Sequence, residues 1–315
     1  MTQKREGDTS VKILFSIDGS TCSSQAIETA LSMRCPMGTE MRVVTVVSAF
    51  EPFPAVEDAV DREMVAATNL VDNAVKRLAE THPNVEVSGQ VLEGYVVEQI
   101  IDYSEGWPAD LIMVGSHGRR GITEFVLGSV SRSILNLARC AVRVVRKGEK
   151  KHDGEGLNVL IALEESEHTR HMIDHVLRLP WPAGSRFRCL NVLQSVDESV
   201  LFDPDIEFAK TAARHFDGMV STRKEWLQET ANRINETFSA EVAETEVLIG
   251  DSRKMIIKAA TDWPADIIML GSHCRQGIDR LVLGSVSEAV ATHAPCSVEV
   301  TKVPAFRSKK LAVHA

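Results

Sequence analysis

The stretch ADLIMVGSHGRRGITEFVLGSVS (109–131) decides the fold, because the chain repeats it 156 residues later as ADIIMLGSHCRQGIDRLVLGSVS (265–287). In each copy a short apolar run of strand length enters a glycine-containing segment, and a glycine-serine cluster then opens a helical pattern. A spacing of about 150 residues is too long for a solenoid repeat. The repetition therefore predicts a domain that is duplicated in tandem, which agrees with the 315-residue length.

The duplication also predicts the domain boundaries. Upstream, ILFSIDGS (13–20) pairs with VLIALEES (159–166) at an offset of 146, so the second copy must carry about ten extra residues, which we place within 199–218. The charged, glycine-containing segment RKGEKKHDGEG (146–156) has no apolar periodicity and is typical of a linker. We predict a first domain over 1–148, a second over 156–305 and a tail over 306–315.

Within each copy, apolar strand patterns alternate with amphipathic helical patterns. In the first copy VKILFSI, MRVVTVVS, VEVSGQVLEG, ADLIMVGS and CAVRVVRK are read as strands, with helical periodicity between them. Such alternation is typical of a parallel sheet with helices on both faces. The predicted fold is therefore α/β, with two tandem Rossmann-like domains that each contain a five-stranded parallel sheet.

Composition excludes several classes of protein. Apolar residues make up 44% of the chain, charged residues 25%, and the formal net charge is −9, which disfavours a nucleic-acid-binding face. The six cysteines form no CxxC pair and no zinc-like spacing with histidine, which favours reduced, mostly buried thiols. A polar N-terminus and the lack of any apolar run near ~20 residues predict neither a secretory signal nor a membrane span, so a cytoplasmic location is expected.

The glycine-serine segment is the candidate binding site. In open α/β sheets, ligands bind outside the carboxyl ends of the strands, where the strand order reverses. Gly115 and Gly118 follow the fourth strand, and Gly128 and Ser129 return at the start of a helix. Unpaired N–H groups and a partial positive charge at a helix start suit an anion, phosphate above all, and Ser129 and Ser131 could add hydroxyl donors. The alternative is that Gly118 makes a turn and Ser129 only caps the helix.

The pattern G-x2-G-x9-G-S after a fourth parallel strand resembles the nucleotide-binding signature of universal stress proteins, and the first copy matches it in full. The resemblance covers nearly the whole chain as two tandem domains. It implies an ATP site in which Asp18 and Val46 meet the adenine, Gly115 lies against the ribose, and the remaining residues surround the phosphates. These phosphate-binding candidates are Gly118, Gly128, Ser129, Val130 and Ser131. Independently of the resemblance, Mg²⁺ could accompany ATP through phosphate oxygens and waters. From the residues alone, Asp18 could equally cap the next helix.

The second copy departs from the pattern. Glu164 and Glu165 replace Asp18 and Gly19, and Cys274 brings a Cβ to a position where glycine could need a positive φ. The added acid also places negative charge near a polyphosphate. The weaker candidates that remain are Gly271, Gly284, Ser285, Val286 and Ser287. We predict that nucleotide binds mainly in the first domain.

Other residues suggest chemistry but have simpler interpretations. His117 and His273 lack partners at metal-ligand spacing, so loop histidines near the crevice are favoured over a metal site. Arg119 and Arg120 could reach a γ-phosphate or could lie on a solvated loop. Cys274, between histidine and arginine, could be a reactive thiol, although a small residue filling a vacated glycine position is the simpler interpretation.

The fifth strands, AVRVV (141–145) and SVEV (297–300), lie at a sheet edge that invites pairing. In the resembled family fifth strands pair between domains or subunits, so we expect the two copies to pair within the chain, and a homodimer is left open. The leading prediction is an ATP-binding stress-response module rather than an enzyme, because no GxxxxGK[ST] phosphate loop occurs. The alternatives are slow ATP hydrolysis or an adenylyl-transferring enzyme, for which Glu124 is the nearest candidate base, and a scaffold that binds no nucleotide.

Overall fold

A computed structural model gives the architecture. It describes residues 10–48, 57–118, 127–146, 156–194, 206–272 and 283–302. We refer to residues 10–146 as the first half and to residues 156–302 as the second half.

Both halves alternate strands and helices as the sequence predicts. The elements of the first half are β1 (Lys12–Ser16), α1 (Thr21–Leu31), β2 (Glu40–Val47), α2 (Glu57–Thr81), β3 (Glu86–Glu93), α3 (Val96–Gly106), β4 (Leu111–Gly115), α4 (Ser129–Leu137) and β5 (Ala141–Val145). Those of the second half are β6 (Asn158–Ala162), α5 (Glu167–Arg178), β7 (Arg186–Leu193), α6 (Ile206–Phe238), β8 (Ala243–Ile249), α7 (Ser252–Asp262), β9 (Ile267–Gly271), α8 (Ser285–His293) and β10 (Ser297–Thr301).

The ten strands form one sheet in the order β3-β2-β1-β4-β5-β10-β9-β6-β7-β8. All pairs within a half are parallel, and only β5 and β10 pair antiparallel, with Arg143 opposite Glu299. In each half the order reverses between the first and fourth strands, which is where α/β sheets bind ligands. The predicted α/β fold and the pairing of the fifth strands are both confirmed.

The central strands are buried on both faces because helices cover both, and apart from Arg143 of β5 and Glu299 of β10 their buried side chains are mainly apolar. All five residues of β4 and all five of β5 are buried. Two apolar clusters, one on each face of the sheet, run through both halves. This explains why the strands read as continuous apolar runs instead of alternating with polar residues.

The extra residues of the second half lengthen a helix. Helix α6 has 33 residues against 25 in α2, and residues 206–218 of the expected insertion belong to it. Leu227, Ala231 and Ile234 of α6 are fully buried, so the helix packs over the sheet in the same manner as α2.

The first residue of the predicted linker 146–156, which also lies within the predicted first domain 1–148, is Arg146. Its side chain is buried against the second half. Its Nη2 donates to the carbonyl oxygens of Ala291 (2.7 Å) and Thr292 (2.9 Å), at the C-terminus of α8. A cation there is favoured by the helix dipole and by unsatisfied carbonyls, so Arg146 belongs to the interface. Residues 147–155 of the predicted linker and the predicted tail, 306–315, lie outside the described residues.

Candidate functional site

The candidate residues of the first half meet in a single cavity of about 360 Å³ at the carboxyl ends of β1, β2 and β4. We call it the first cavity. Its lining contains all eight predicted residues of this half, namely Asp18, Val46, Gly115, Gly118, Gly128, Ser129, Val130 and Ser131. The residues predicted from glycine and serine spacing, together with those implied by the resemblance, therefore border one continuous space in the fold.

One wall of the first cavity is the start of α4. Gly128 caps this helix without a side-chain hydrogen bond, and its own N–H donates to the Ser116 carbonyl (2.8 Å). The first intrahelical bond runs from the Arg132 N–H to the Gly128 carbonyl (2.9 Å). The amides of residues 129–131 therefore have no acceptor within the helix, and they carry its positive dipole end. This wall is suited to bind an anion.

The hydroxyl of Ser131 does not add the free donor that the sequence suggested. It donates to the Gly115 carbonyl at 2.6 Å, and in the second half Ser287 makes the equivalent bond to Gly271 at 2.9 Å. These bonds tie each helix to the end of the fourth strand of its half. Ser129 is exposed, so of the two hydroxyls it is the one left to face a ligand.

The glycines of the first cavity are required for close approach and not for a left-handed backbone. A Cβ on Gly115 would lie 2.8 Å from the Ser23 nitrogen of α1, so this glycine lets the helix pack against the strand end. A Cβ on Gly118 would lie 3.1 Å from Asp18 Oδ2. The suggestion that this position needs a positive φ is wrong, because Gly118 is not among the positive-φ glycines.

Asp18 lies beside Gly118 and does not cap the next helix. Ser20 is the N-cap of α1, and its hydroxyl oxygen accepts from the Ser23 N–H at 3.2 Å. Asp18 Oδ1 accepts from the Ser20 N–H at 2.9 Å across a turn in which Gly19 has φ 77°. The capping alternative for Asp18 is therefore wrong, and its carboxylate lines the cavity.

His117 also lines the first cavity, although its sequence context gave little reason to choose it. Its Nδ1 lies 3.0 Å from Ser116 Oγ, and among the described residues its buried Nε2 has no hydrogen-bond partner. Burial, together with the charge of Arg146, lowers the pKa of His117. The ring is therefore neutral near pH 7 and offers one further polar atom.

The rest of the lining comes from strand ends and from the start of α3. The sequence did not single out these residues, because apolar or small side chains at strand ends carry no motif. They are Ser16, Ile17, Thr45, Val96 and Val114.

The equivalent space in the second half, the second cavity, measures about 140 Å³. Its lining includes Gly271, Val286 and Ser287 from the predicted set. Gly284 and Ser285 cap and begin α8 but are not part of this lining. The second half thus keeps the helix start and loses much of the space in front of it.

Two side chains that line the second cavity, Asn191 and Glu164, account for part of the change. Asn191, at the position of Thr45, is buried, and its Nδ2 donates to the Leu163 carbonyl at 2.7 Å. Glu164 lines the second cavity, whereas Glu165 forms an ion pair with Arg223 of α6. Asn191 therefore takes up space where the first cavity has Thr45. Glu164 places a longer acidic side chain where the first cavity has Asp18.

Several predicted candidates cannot be placed. They lie outside the described residues and are Arg119, Arg120, Glu124, His273, Cys274 and the neighbouring Arg275. Within the described ranges, no cluster of three or more His, Cys, Asp or Glu side chains has the arrangement needed to hold a metal ion. No helix in that part of the chain has the length and apolar character to cross a membrane.

Comparison with known proteins agrees with this architecture. The model of the universal stress protein family matches twice, over residues 11–146 and 157–302. A universal stress protein of Mycobacterium tuberculosis (strain ATCC 25618 / H37Rv) is 25% identical over 329 residues, covering 94% of this chain and 96% of its own. The crystal structure of a universal stress protein from Archaeoglobus fulgidus DSM 4304 superposes with a TM-score of 0.62 at 19% identity, covering 93% of this chain and 97% of that one.

A further solved structure, 22% identical and covering 44% of this chain and 98% of its own with a TM-score of 0.31, is a universal stress protein in complex with cAMP. The two matches to the family model together span most of the sequence, one on each half. The chain therefore belongs to the universal stress protein family.

Proposed function

We propose that the first cavity binds an adenine nucleotide, with ATP as the principal ligand, and that the protein acts as a nucleotide-dependent stress-response module. The observation that carries this proposal is the start of α4, where the backbone amides of residues 129–131 line a cavity of about 360 Å³. Cavities that bind small molecules typically measure about 300–1,000 Å³. The first cavity lies in that range and the second, at about 140 Å³, lies below it.

The phosphates would bind where donors converge. The amides at the α4 start and the Ser129 hydroxyl supply hydrogen bonds, and the helix dipole supplies positive potential. The only carboxylate in the described lining, Asp18, lies on the β1 side of the cavity next to Gly118. A carboxylate repels a polyphosphate but can accept hydrogen bonds from adenine or ribose, so the charges favour phosphates at α4 and the nucleoside toward Asp18 and Val46.

Magnesium would enter with the nucleotide. In the described part of the chain no carboxylate cluster forms a cation site, so phosphate oxygens and water would supply most of its ligands. When bound, the ion would neutralise phosphate charge. The protein's own contribution is the set of backbone amides and the space that Gly118 and Gly128 leave free.

The proposed activity is binding and not turnover. A hydrolytic site needs a group that orients or deprotonates the attacking water. Among the described residues of the first cavity, Asp18 is the one carboxylate, and its Oδ1 already accepts from the Ser20 N–H. Neutral His117 lines the cavity as well, but its Nδ1 contacts the adjacent Ser116 hydroxyl.

The test compares two matched variants of the full chain, Gly128→Val and Gly284→Val. Both glycines cap the fourth helix of their half with nearly equal dihedral angles, φ −62° and −64°. A side chain at Gly128 would enter the space bounded by the Ser116 carbonyl, His117 and Ser131, with its Cβ 3.1 Å from that carbonyl oxygen. Loss of charge-assisted hydrogen bonds worth about 1.5–3 kcal/mol should weaken binding by roughly 10- to 100-fold.

Isothermal titration calorimetry with ATP, ADP and cAMP measures the effect, and melting temperatures show that both variants fold. We expect Gly128→Val to lose nucleotide affinity and Gly284→Val to keep it. Mass spectrometry of the supernatant from denatured, purified protein identifies any nucleotide that is carried through purification. Unchanged affinity in Gly128→Val, or no nucleotide and no thermal shift with ATP in the parent, would contradict the proposal and favour a nucleotide-free scaffold.

A further inference from the structure

The junction between the halves is organised around a pseudo-two-fold axis. Antiparallel pairing of β5 with β10 places Val144 opposite Val298, Arg143 opposite Glu299, and Val142 opposite Val300. Arg143 and Glu299 are 156 residues apart, which is the offset of the duplication, so they occupy the same position in the two halves. The axis therefore passes between them, and every residue on it meets its own counterpart.

The two residues at the axis carry opposite charges and are fully enclosed. Arg143 is 1% exposed and Glu299 is 0% exposed. The Arg143 guanidinium donates to Glu299 Oε2 through both Nε (2.7 Å) and Nη2 (2.6 Å). Both donors share one carboxylate oxygen, and hydrogen bonds between two ionised groups are short and strong.

A second pair near the axis repeats this arrangement at the surface. Arg132 Nη1 of α4 lies 3.7 Å from Glu288 Oε1 of α8, and the two side chains are 45% and 48% exposed. These residues are also 156 positions apart in the sequence. At both pairs of equivalent positions the first half supplies arginine and the second half supplies glutamate.

Contacts away from the axis follow the opposite rule, since there the two halves have like charges. Arg146 Nη2 donates to the Ala291 carbonyl at 2.7 Å, and Lys302 Nζ donates to the Leu135 carbonyl at 2.6 Å. These two bonds are equivalent under the duplication, because each cation reaches the C-terminal turn of the opposite half's fourth helix. A cation that donates to a backbone carbonyl can form this bond in any pairing of halves. An arginine–glutamate pair on the axis can form only between unlike halves.

We infer that the Arg132, Arg143, Glu288 and Glu299 set makes this sheet edge a heterotypic interface that accepts only the opposite half, from the same chain or from a second copy. Two first halves would place arginine against arginine at both positions, and two second halves would place glutamate against glutamate. At the buried position of Arg143 and Glu299 like charges would meet without solvent, which is costly and selects against the wrong partner, and the half-exposed position of Arg132 and Glu288 adds a smaller repulsion. The off-axis cations add stability without adding this selectivity.

The surroundings of the buried pair are themselves asymmetric. His175 Nε2 lies 2.6 Å from Glu299 Oε1, and the Arg143 Cζ atom lies 5.3 Å from the centre of the Trp181 ring. Both His175 and Trp181 belong to the second half, and the first half has Thr29 and Cys35 at the corresponding places. The second half thus forms a site for the guanidinium that the first half lacks, which further restricts the pairing to unlike halves.

The test uses two full-length variants, one with carboxylates at all four positions (Arg132→Glu with Arg143→Glu) and one with guanidinium groups at all four (Glu288→Arg with Glu299→Arg). Each variant alone should melt below the parent and have a larger hydrodynamic radius, because its own halves repel. Mixing the two should yield a species of twice the 34.6 kDa chain mass by native mass spectrometry. The matched control exchanges the off-axis cations, Arg146→Lys with Lys302→Arg, and should keep the parent's mass and radius.

The inference is overturned if either variant alone keeps the parent's melting temperature and radius, or if the mixture forms no mixed dimer while both variants are folded. If a variant does not fold, substitutions at the exposed Arg132–Glu288 pair test the inference instead. Arg132→Glu and Glu288→Arg should each lower the melting temperature by about 1–2 °C, since an exposed ion pair contributes about 1 kcal/mol or less, and the double exchange should recover most of that loss. The inference is also overturned if the melting temperature of the double variant falls by the sum of the two single-variant decreases.

Discussion

The first and second cavities occupy the same place in two copies of the same fold, yet one measures about 360 Å³ and the other about 140 Å³. Strand order, helix order and the bond from the helix serine to the end of the fourth strand are retained in both. The differences lie in the side chains at the strand ends. The comparison teaches that burial of the strands preserves the framework of a duplicated domain, while the residues facing the crevice can diverge without loss of the fold.

The two halves also differ at their junction, and the largest expected effect is found there. Burial alone would raise the pKa of Glu299, but the Arg143 guanidinium and then His175 outweigh it and lower that pKa to about 2. An unfolded glutamate titrates near 4.3, so this stabilisation is complete above that pH and is lost as the pH falls toward 2. Its size is on the order of 3 kcal/mol.

Urea unfolding from pH 7 to pH 2 measures this effect in the parent and in Glu299→Gln. We expect the parent to lose more stability than the variant between about pH 4.3 and pH 2, since glutamine cannot titrate. The variant should be less stable at neutral pH, because Arg143 is then buried without its counter-charge. Parallel pH curves for the two proteins would show that Glu299 does not titrate with a depressed pKa.

The next prediction compares matched glycines at the ends of β4 and β9. A Cβ on Gly115 would lie 2.8 Å from the Ser23 nitrogen, whereas a Cβ on Gly271 would meet no atom of the described residues within 4 Å. Gly115→Ala should therefore lower the free energy of unfolding by about 1–3 kcal/mol through overpacking against α1. Gly271→Ala should change it by less than about 0.5 kcal/mol. Equal effects in denaturant titrations would show that the two strand ends are packed alike.

A third experiment gives the first half the cysteine that the second half has in place of Gly118. Gly118→Cys introduces the residue found at position 274, and its Cβ would lie 3.1 Å from Asp18 Oδ2. The crowded carboxylate must shift, so we expect ATP to bind about tenfold more weakly, or about 1.4 kcal/mol. Gly118→Ala, which adds the Cβ alone, should give part of that loss. Full affinity in both variants, measured by calorimetry, would show that this contact does not shape the site.

The smallest expected effect concerns the end of β2. Thr45→Asn gives the first half the side chain that reaches the Leu163 carbonyl in the second. The amide should narrow the nucleoside side of the first cavity and weaken ATP binding about threefold, on the order of 0.7 kcal/mol. Asn191→Thr serves as the control and should leave that affinity unchanged. An effect of equal size in the control would place the binding event outside the first cavity.

The fold could be predicted from the sequence because its signals are local and repeated. Apolar runs such as that of β4 mark buried strands, and the 156-residue offset identifies the duplication. The place of the glycines and serines in the first cavity followed from their spacing, since the strand end and the helix start must meet at the sheet edge, whereas Val46 was implied by the family resemblance. The nucleotide itself remains a prediction.

Other features depend on contacts between distant residues and carry no local signal. Arg146 resembled a linker residue because its acceptors lie 145 and 146 positions further along the chain. The hydroxyl of Ser131 resembled a ligand donor because its bond to Gly115 forms only when α4 packs against β4. Part of the difference in cavity size comes from the hydrogen bond between Asn191 of β7 and the Leu163 carbonyl after β6, which no sequence spacing encodes.

The antiparallel junction of β5 and β10 also sets the directions in which the two crevices open. All strands of one half run against those of the other, so the carboxyl ends of the two parallel sets lie at opposite margins of the continuous sheet. A flat protein surface that covers the entrance of one crevice leaves the other uncovered. A partner protein that recognises a ligand-filled crevice would therefore contact the two copies from different sides of the molecule, one at a time.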